Sequence, residues 1–125
     1  MAAQLNHTII LCRDKQVSAA FLAEMLGRPE PGRVGPFLAV QLDNSVSLDF
    51  MDTDEAITAQ HYAFLIDEAD FDRVLGKIRN KNLDHWADPM CERPGEINHR
   101  AGGRGVYFPD PDGHFLEVLT RVHAD

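Results

Sequence analysis

The sequence predicts an α+β protein built from two copies of one strand–helix–hairpin unit. Three observations predict it. First, the hydrophobic period changes in the same order twice: a β-branched run, a helical spacing, then two short apolar runs around a turn. Second, the chemistry repeats with it. The opening strands carry His7 and His61, each near the strand start, and the closing strands carry Asp49 and Glu117. Third, 125 residues allow one domain, or two half-domains that share a core.

Leu5–Leu11 is rich in apolar and β-branched residues and reads as a strand. Asp14 reads as a helix N-cap, followed by Val17, Phe21, Leu22, Met25 and Leu26 at helical spacing. Gly27 and Pro29 end that helix. Phe37–Leu42 and Val46–Met51 read as strands around an Asp-Asn-Ser turn. The second copy opens with a strand at Gln60–Ile66. Its helix carries Phe71, Val74, Leu75 and Ile78 on one face. Leu83–Ala87 reads as a short strand, and residues 88–103, with two Pro and three Gly, as a loop. Gly105–Phe108 and His114–Arg121 read as strands around the Asp110-Pro111-Asp112-Gly113 turn. Residues 52–58 are polar and form a natural joint.

Composition excludes several classes. With 44% hydrophobic and 26% charged residues, the chain is neither disordered nor fibrous. No apolar run approaches the roughly 18–20 residues that span a bilayer. The N-terminus lacks the basic and cleavage features of a signal peptide. The net charge of −8 and the absence of a basic cluster argue against nucleic acid and anionic membrane as partners. Cys12 and Cys91 follow no zinc-finger or CxxC spacing. Reduced thiols and a cytoplasmic location are the expectation.

Strand alternation places His7 with Leu5, Ile9 and Leu11, His61 with Ala63 and Leu65, and Glu117 with Phe115 and Leu119. A carboxylate on such an apolar face is costly unless it is paired or binds a cation. Two imidazoles and a carboxylate suit Zn, Fe, Mn, Ni or Co with positions left open for substrate. A lone strand His is more often a hydrogen-bonded structural residue, and a lone Glu more often solvated. The repeat is what such isolated explanations do not anticipate. Asp49 shares its face with Ser47 and Met51. It reads as a fourth ligand, an acceptor for metal-bound water, or a solvated acid.

These residues resemble the vicinal oxygen chelate superfamily, which comprises glyoxalases, bleomycin-resistance proteins and dioxygenases. The resemblance runs from the LNH of Leu5–His7 to Leu119 and is strongest over GVYFPDPDGHFLE, Gly105–Glu117. It implies two βαβββ modules, residues 1–53 and 54–125, forming a cupped mixed sheet around one divalent metal. By position it implies His7, His61 and Glu117 as metal ligands. Asp49 stands where glyoxalase I-like members place a Glu ligand. It further implies a homodimer with sites shared between chains, and a small-molecule substrate offering two neighbouring oxygens.

Two functions compete on this reading, beside a blander third, a metal-binding domain with an accessory role in a larger complex. One is a metal-dependent lyase, isomerase or dioxygenase, in which Glu117 and Asp49 are the candidate catalytic carboxylates. The other is a metal-independent protein of the bleomycin-resistance type, which sequesters a drug or natural product and has no need of the His-His-Glu set. His99, Arg100, Tyr107 and Trp86 are candidate substrate-binding residues, and His99, His114 and Tyr107 are candidates for proton transfer. Trp86 fits either a pocket wall or a module interface, and Tyr107 fits an ordinary cross-strand aromatic. The 88–103 loop is long enough for a lid, or for a solvated loop held by local turns.

Overall fold

A computed structural model describes residues 1–122. The chain is α+β, with two helices and two small mixed sheets. Contacts divide it into two compact units, Met1–Thr58 and a second that starts at Ala59.

The first unit runs β1 (His7–Cys12), α1 (Lys15–Met25), β2 (Gly32–Val34), β3 (Phe37–Gln41) and β4 (Ser47–Asp52). Its sheet has the order β1-β4-β3-β2, with β1 parallel to β4 and the other pairs antiparallel. The Asp14 carboxylate caps α1 by accepting the N–H groups of Gln16 and Val17. The helix buries Ser18, Ala19, Leu22, Ala23 and Met25. This differs from the sequence expectation, because Val17 is exposed. Small side chains at 18, 19 and 23 let the helix backbone approach the sheet, and they are invisible to a search for large apolar residues.

Along β1 the buried residues are Ile10 and Cys12, so His7, Ile9 and Leu11 lie on the sheet's other, more open face. Register places Ser47, Asp49 and Met51 on that same face, opposite His7, Ile9 and Leu11 in turn. Strand β2 was not anticipated. All three of its residues are exposed, and pairing with β3, not burial, defines it.

The second unit runs β5 (His61–Leu65), α2 (Glu68–Asn80), a 3-10 turn at Arg100–Gly102, β6 (Gly105–Pro109) and β7 (Phe115–Leu119). The sheet order is β5-β7-β6, with β5 parallel and β6 antiparallel to β7. Helix α2 starts at an Asp67 cap and buries Phe71, Val74, Leu75 and Ile78, the face read from the periodicity. Val106, Phe108, Leu116 and Val118 are buried on the sheet. Alternation therefore sends Tyr107, Phe115 and Glu117 to the opposite face.

The expected strand at Leu83–Ala87 is reduced to one bridging residue. Trp86 exchanges both backbone hydrogen bonds with Tyr107, each 2.9 Å. Its neighbours make no ladder, so β6 gains only two isolated bridges here, Trp86 to Tyr107 and Asn98 to Gly105.

The 88–103 segment is tied down along its length. The Asp88 carboxylate accepts the N–H groups of Glu92 and Arg93. Asn98 is 5% exposed; its side-chain amide donates to the Ala87 carbonyl, and its backbone exchanges two bonds with Gly105. A Cβ at Gly105 would stand 2.9 Å from the Asn98 amide, so only glycine fits there. Asn98 is thus part of what holds this segment in place.

Candidate metal centre

The second unit gathers the chemistry. Residues 61, 63 and 65 of β5 pair with 115, 117 and 119 of β7, and Tyr107 of β6 pairs with Glu117. One sheet face therefore carries His61, Glu117, Tyr107 and Phe115 together.

Glu117 is 5% exposed. Its Oε1 lies 3.1 Å from His61 Nε2, while the His61 side chain is 49% exposed. The other ring nitrogen, Nδ1, lies 3.0 Å from the Phe115 carbonyl oxygen. A carbonyl can only accept, so Nδ1 carries a hydrogen. In the neutral ring, Nε2 then presents a lone pair to a carboxylate oxygen, which is also an acceptor. A proton shared between them, on Nε2 or on the carboxyl, satisfies that contact, and the same two atoms would serve as ligands to a divalent cation. A metal-binding imidazole commonly donates its second N–H to a backbone carbonyl in this way. The donor set fits a borderline divalent cation.

Tyr107 completes the inner layer. It is 3% exposed, it pairs with Glu117 across the strands, and its phenol oxygen accepts from Arg100. Arg100 Nη1 donates to the phenol oxygen at 3.1 Å, with the guanidinium carbon 5.9 Å from the ring centroid. Burial first, and the Glu117 charge second, push the phenol above its ordinary pKa. Tyr107 therefore stays protonated at neutral pH and can donate to the carboxylate.

The aromatic rings form a row. Trp86 lies 5.8 Å from Phe115, Phe115 stacks on Tyr107 at 5.5 Å, and Tyr107 stacks on His61 at 5.9 Å. At the far end, Trp86 lines a shallow cavity of about 180 Å³ with Leu83, Asp84, His85, Pro94 and Gly95. The structure thus brings His61, Glu117, Tyr107, Arg100 and Trp86 into one continuous group.

The remaining candidates have surroundings of their own. His7 is exposed at the start of β1, with Nδ1 2.8 Å from Asn6 Oδ1. Asp49 is 9% exposed and accepts the Ser47 hydroxyl at 2.5 Å. It is not the solvated acid that a half-polar strand suggested. His99 precedes the 3-10 turn, exposed and making no capping hydrogen bond. Among the described residues, no three His, Cys, Asp or Glu side chains gather into one metal-binding cluster. His114, considered above for proton transfer, is 1% exposed, and its Nδ1 accepts the Gln60 backbone N–H at 3.0 Å. It belongs to the framework, and its signal in the sequence is the D-P-D-G turn just before it.

No family model matches the chain. A glutathione transferase FosA from Serratia marcescens is 30% identical over 125 residues, spanning 94% of this chain and 81% of that protein. A fosfomycin resistance protein FosX from Mesorhizobium japonicum is 38% identical over 60 residues, which is 48% of this chain and 38% of that one. Among solved structures, oxidase ChaP-H2 superposes with a TM-score of 0.97 at 55% identity, over 100% of this chain and 98% of that one. Oxidase ChaP-H1 superposes at 0.95 with 56% identity, over 97% and 98%. The α+β architecture with two mixed sheets is that of the glyoxalase and dioxygenase-like folds. The chain belongs to the vicinal oxygen chelate superfamily.

Proposed function

We propose that this protein is a metal-dependent oxidase of the vicinal oxygen chelate type. Its substrate is a small molecule that presents two neighbouring oxygens. One observation carries the metal: an Nδ1-protonated His61 facing a buried Glu117 carboxylate at 3.1 Å. His61 and Glu117 supply two ligands, and His7 of a second copy of the chain supplies the third. Asp49 shares the His7 face and would be a further carboxylate for that ion. The exposure of Ile9, Val34 and Leu65 supports such pairing, since these are apolar residues on sheets.

A divalent metal there supplies a Lewis acid for both substrate oxygens and, when redox-active, a path for electrons to dioxygen. The chain's own residues do the rest. The Phe115 carbonyl fixes the His61 tautomer. Tyr107, which stays protonated beside Glu117, is the donor available to its carboxylate, and Arg100 holds the Tyr107 phenol. Tyr107, Phe115 and Trp86 form an apolar wall that limits water on that side of the site. His99, exposed in the loop, is retained as a substrate contact.

Oxidation is favoured over thiol transfer to a phosphonate by two supports. The solved relatives at 55–56% identity are oxidases by name, whereas the transferase relative is 30% identical. Arg100, the cation that touches this group, is also engaged, donating to the Tyr107 phenol, and Arg104 is paired away from it with Glu68 and Asp72. The His61–Glu117 pair also disfavours a sequestering protein, which has no use for it.

The test is dioxygen uptake with catechol as the probe, using protein loaded in turn with Fe(II), Mn(II) and Zn(II). Uptake with a redox-active ion and none with Zn(II) is expected. Equal inertness with all three, alongside thiol adduct formation on an epoxide, would replace the oxidase reading with a transferase.

A further inference from the structure

We infer that His114 is a positioning residue for His61, acting through the backbone of Gln60. The inference rests on the reading of His61 as a metal ligand and extends it to a residue outside the ligand set.

The connection can be followed bond by bond. In the D-P-D-G turn, Gly113 takes φ +89°, a conformation that favours glycine. The Asp110 carboxylate accepts the N–H groups of Asp112 and His114, each at 2.9 Å, and Asp110 N–H donates to the His114 carbonyl at 2.8 Å. The main chain of His114 is thereby fixed. Its ring is fixed separately, by the Gln60 N–H on Nδ1 at 3.0 Å and by the edge-on ring of Tyr62 at 5.9 Å. Gln60 is held a second time, because its carbonyl accepts the Phe115 N–H at 2.8 Å. His61 is the next residue, and its Nδ1–H reaches the carbonyl of that same Phe115.

His114 and Phe115 thus hold both backbone polar groups of the residue from which β5 starts. They decide where His61 leaves the sheet, and so whether its ring can reach the Phe115 carbonyl. The two imidazoles are locked in opposite tautomers. His61 carries hydrogen on Nδ1, whereas neutral His114 accepts at Nδ1 and carries it on Nε2. Acceptor loss at 114 leaves the Gln60 N–H without its partner and lets the first residue of β5 move. Outer partners of a metal-binding His typically matter by roughly 10–100-fold in affinity.

The test compares His114→Leu, which has no acceptor, with His114→Asn, whose amide oxygen stands about where Nδ1 stood. The first readout is ring nitrogen NMR of His61 in metal-free protein, which reports the Nδ1–H tautomer directly. The second is Mn(II) affinity. His114→Leu is expected to mix the His61 tautomers and to weaken Mn(II) roughly 10–100-fold, with His114→Asn restoring both. A folded His114→Leu protein with the wild-type His61 spectrum and Mn(II) affinity would overturn the inference. If His114→Leu does not fold, His114→Phe keeps a ring in the core and removes the acceptor; the same two losses are expected, and their absence overturns the inference. His61→Ala separates the two ideas. If that variant keeps wild-type Mn(II) affinity, His61 is not a ligand, and the tautomer spectrum alone then judges the positioning role.

Discussion

Replacing Glu117 by Gln is expected to leave the protein unable to hold a stoichiometric metal ion. The amide keeps the size of the buried side chain, and Tyr107 can still hydrogen-bond its oxygen, so the packing around β7 survives. What disappears is the negative charge opposite His61 Nε2. Loss of a direct ligand should exceed the roughly 10–100-fold that an outer partner costs. The effect is measurable without substrate. An ion present at 100 times its dissociation constant stabilises the folded state by about 2.7 kcal/mol, so metal should raise the wild-type unfolding midpoint and leave that of Glu117→Gln unchanged. Equal metal-induced shifts in both proteins would remove Glu117 from the ligand set.

Phe71→Ala carries the largest expected cost in stability. Phe71 is fully buried in the first turns of α2. Its ring also lies under the Arg104 guanidinium at 4.5 Å, and Arg104 in turn reaches Glu68 and Asp72. Truncation of a buried Phe to Ala typically costs about 3–5 kcal/mol through lost burial and the cavity left behind. The Arg104 pairs lie near the surface, where such pairs contribute about 0–1 kcal/mol, so Arg104→Ala should cost far less. Denaturant unfolding of the two variants checks the contrast. A Phe71→Ala cost no greater than that of Arg104→Ala would mean that the ion pairs, and not the core, hold α2 in place. Phe71 is buried on α2, on a different element from His61, Glu117 and Tyr107, so Phe71→Ala protein that remains folded should still bind metal.

The parts of the fold that were legible are those in which burial writes a period into the sequence. The α2 face, Phe71, Val74, Leu75 and Ile78, is large, apolar and helically spaced, and it is buried as read. Strand β2 was hidden because Gly32–Val34 is exposed and flanked by Gly and Pro; only pairing to β3 makes it a strand. The reading of β1 illustrates a different limit. Both of its faces are largely apolar, so alternation alone does not say which one is packed. The structure buries Ile10 and Cys12 and leaves Ile9 at 46% exposure on the His7 face.

The candidate site was legible where the two units repeat each other. His61 and Glu117, picked out by equivalent places in the two copies, share one face and one contact. The layer around them was harder to read. Tyr107 resembles any cross-strand aromatic until its pairing with Glu117 is known, and Arg100 sits in a loop whose path no period predicts. His114 looked like a third imidazole available for chemistry. Its place directly after D-P-D-G was the available sign that turn geometry would point its ring into the framework.

The most direct measurement is the metal content, by elemental analysis, of protein purified without chelator and without a nickel column. A site formed by His7, His61 and Glu117 requires about one Fe, Zn, Mn, Ni or Co per chain, reduced to a trace in His61→Ala. Full occupancy in His61→Ala, or no metal in wild-type protein even after soaking with each ion in turn, would contradict it.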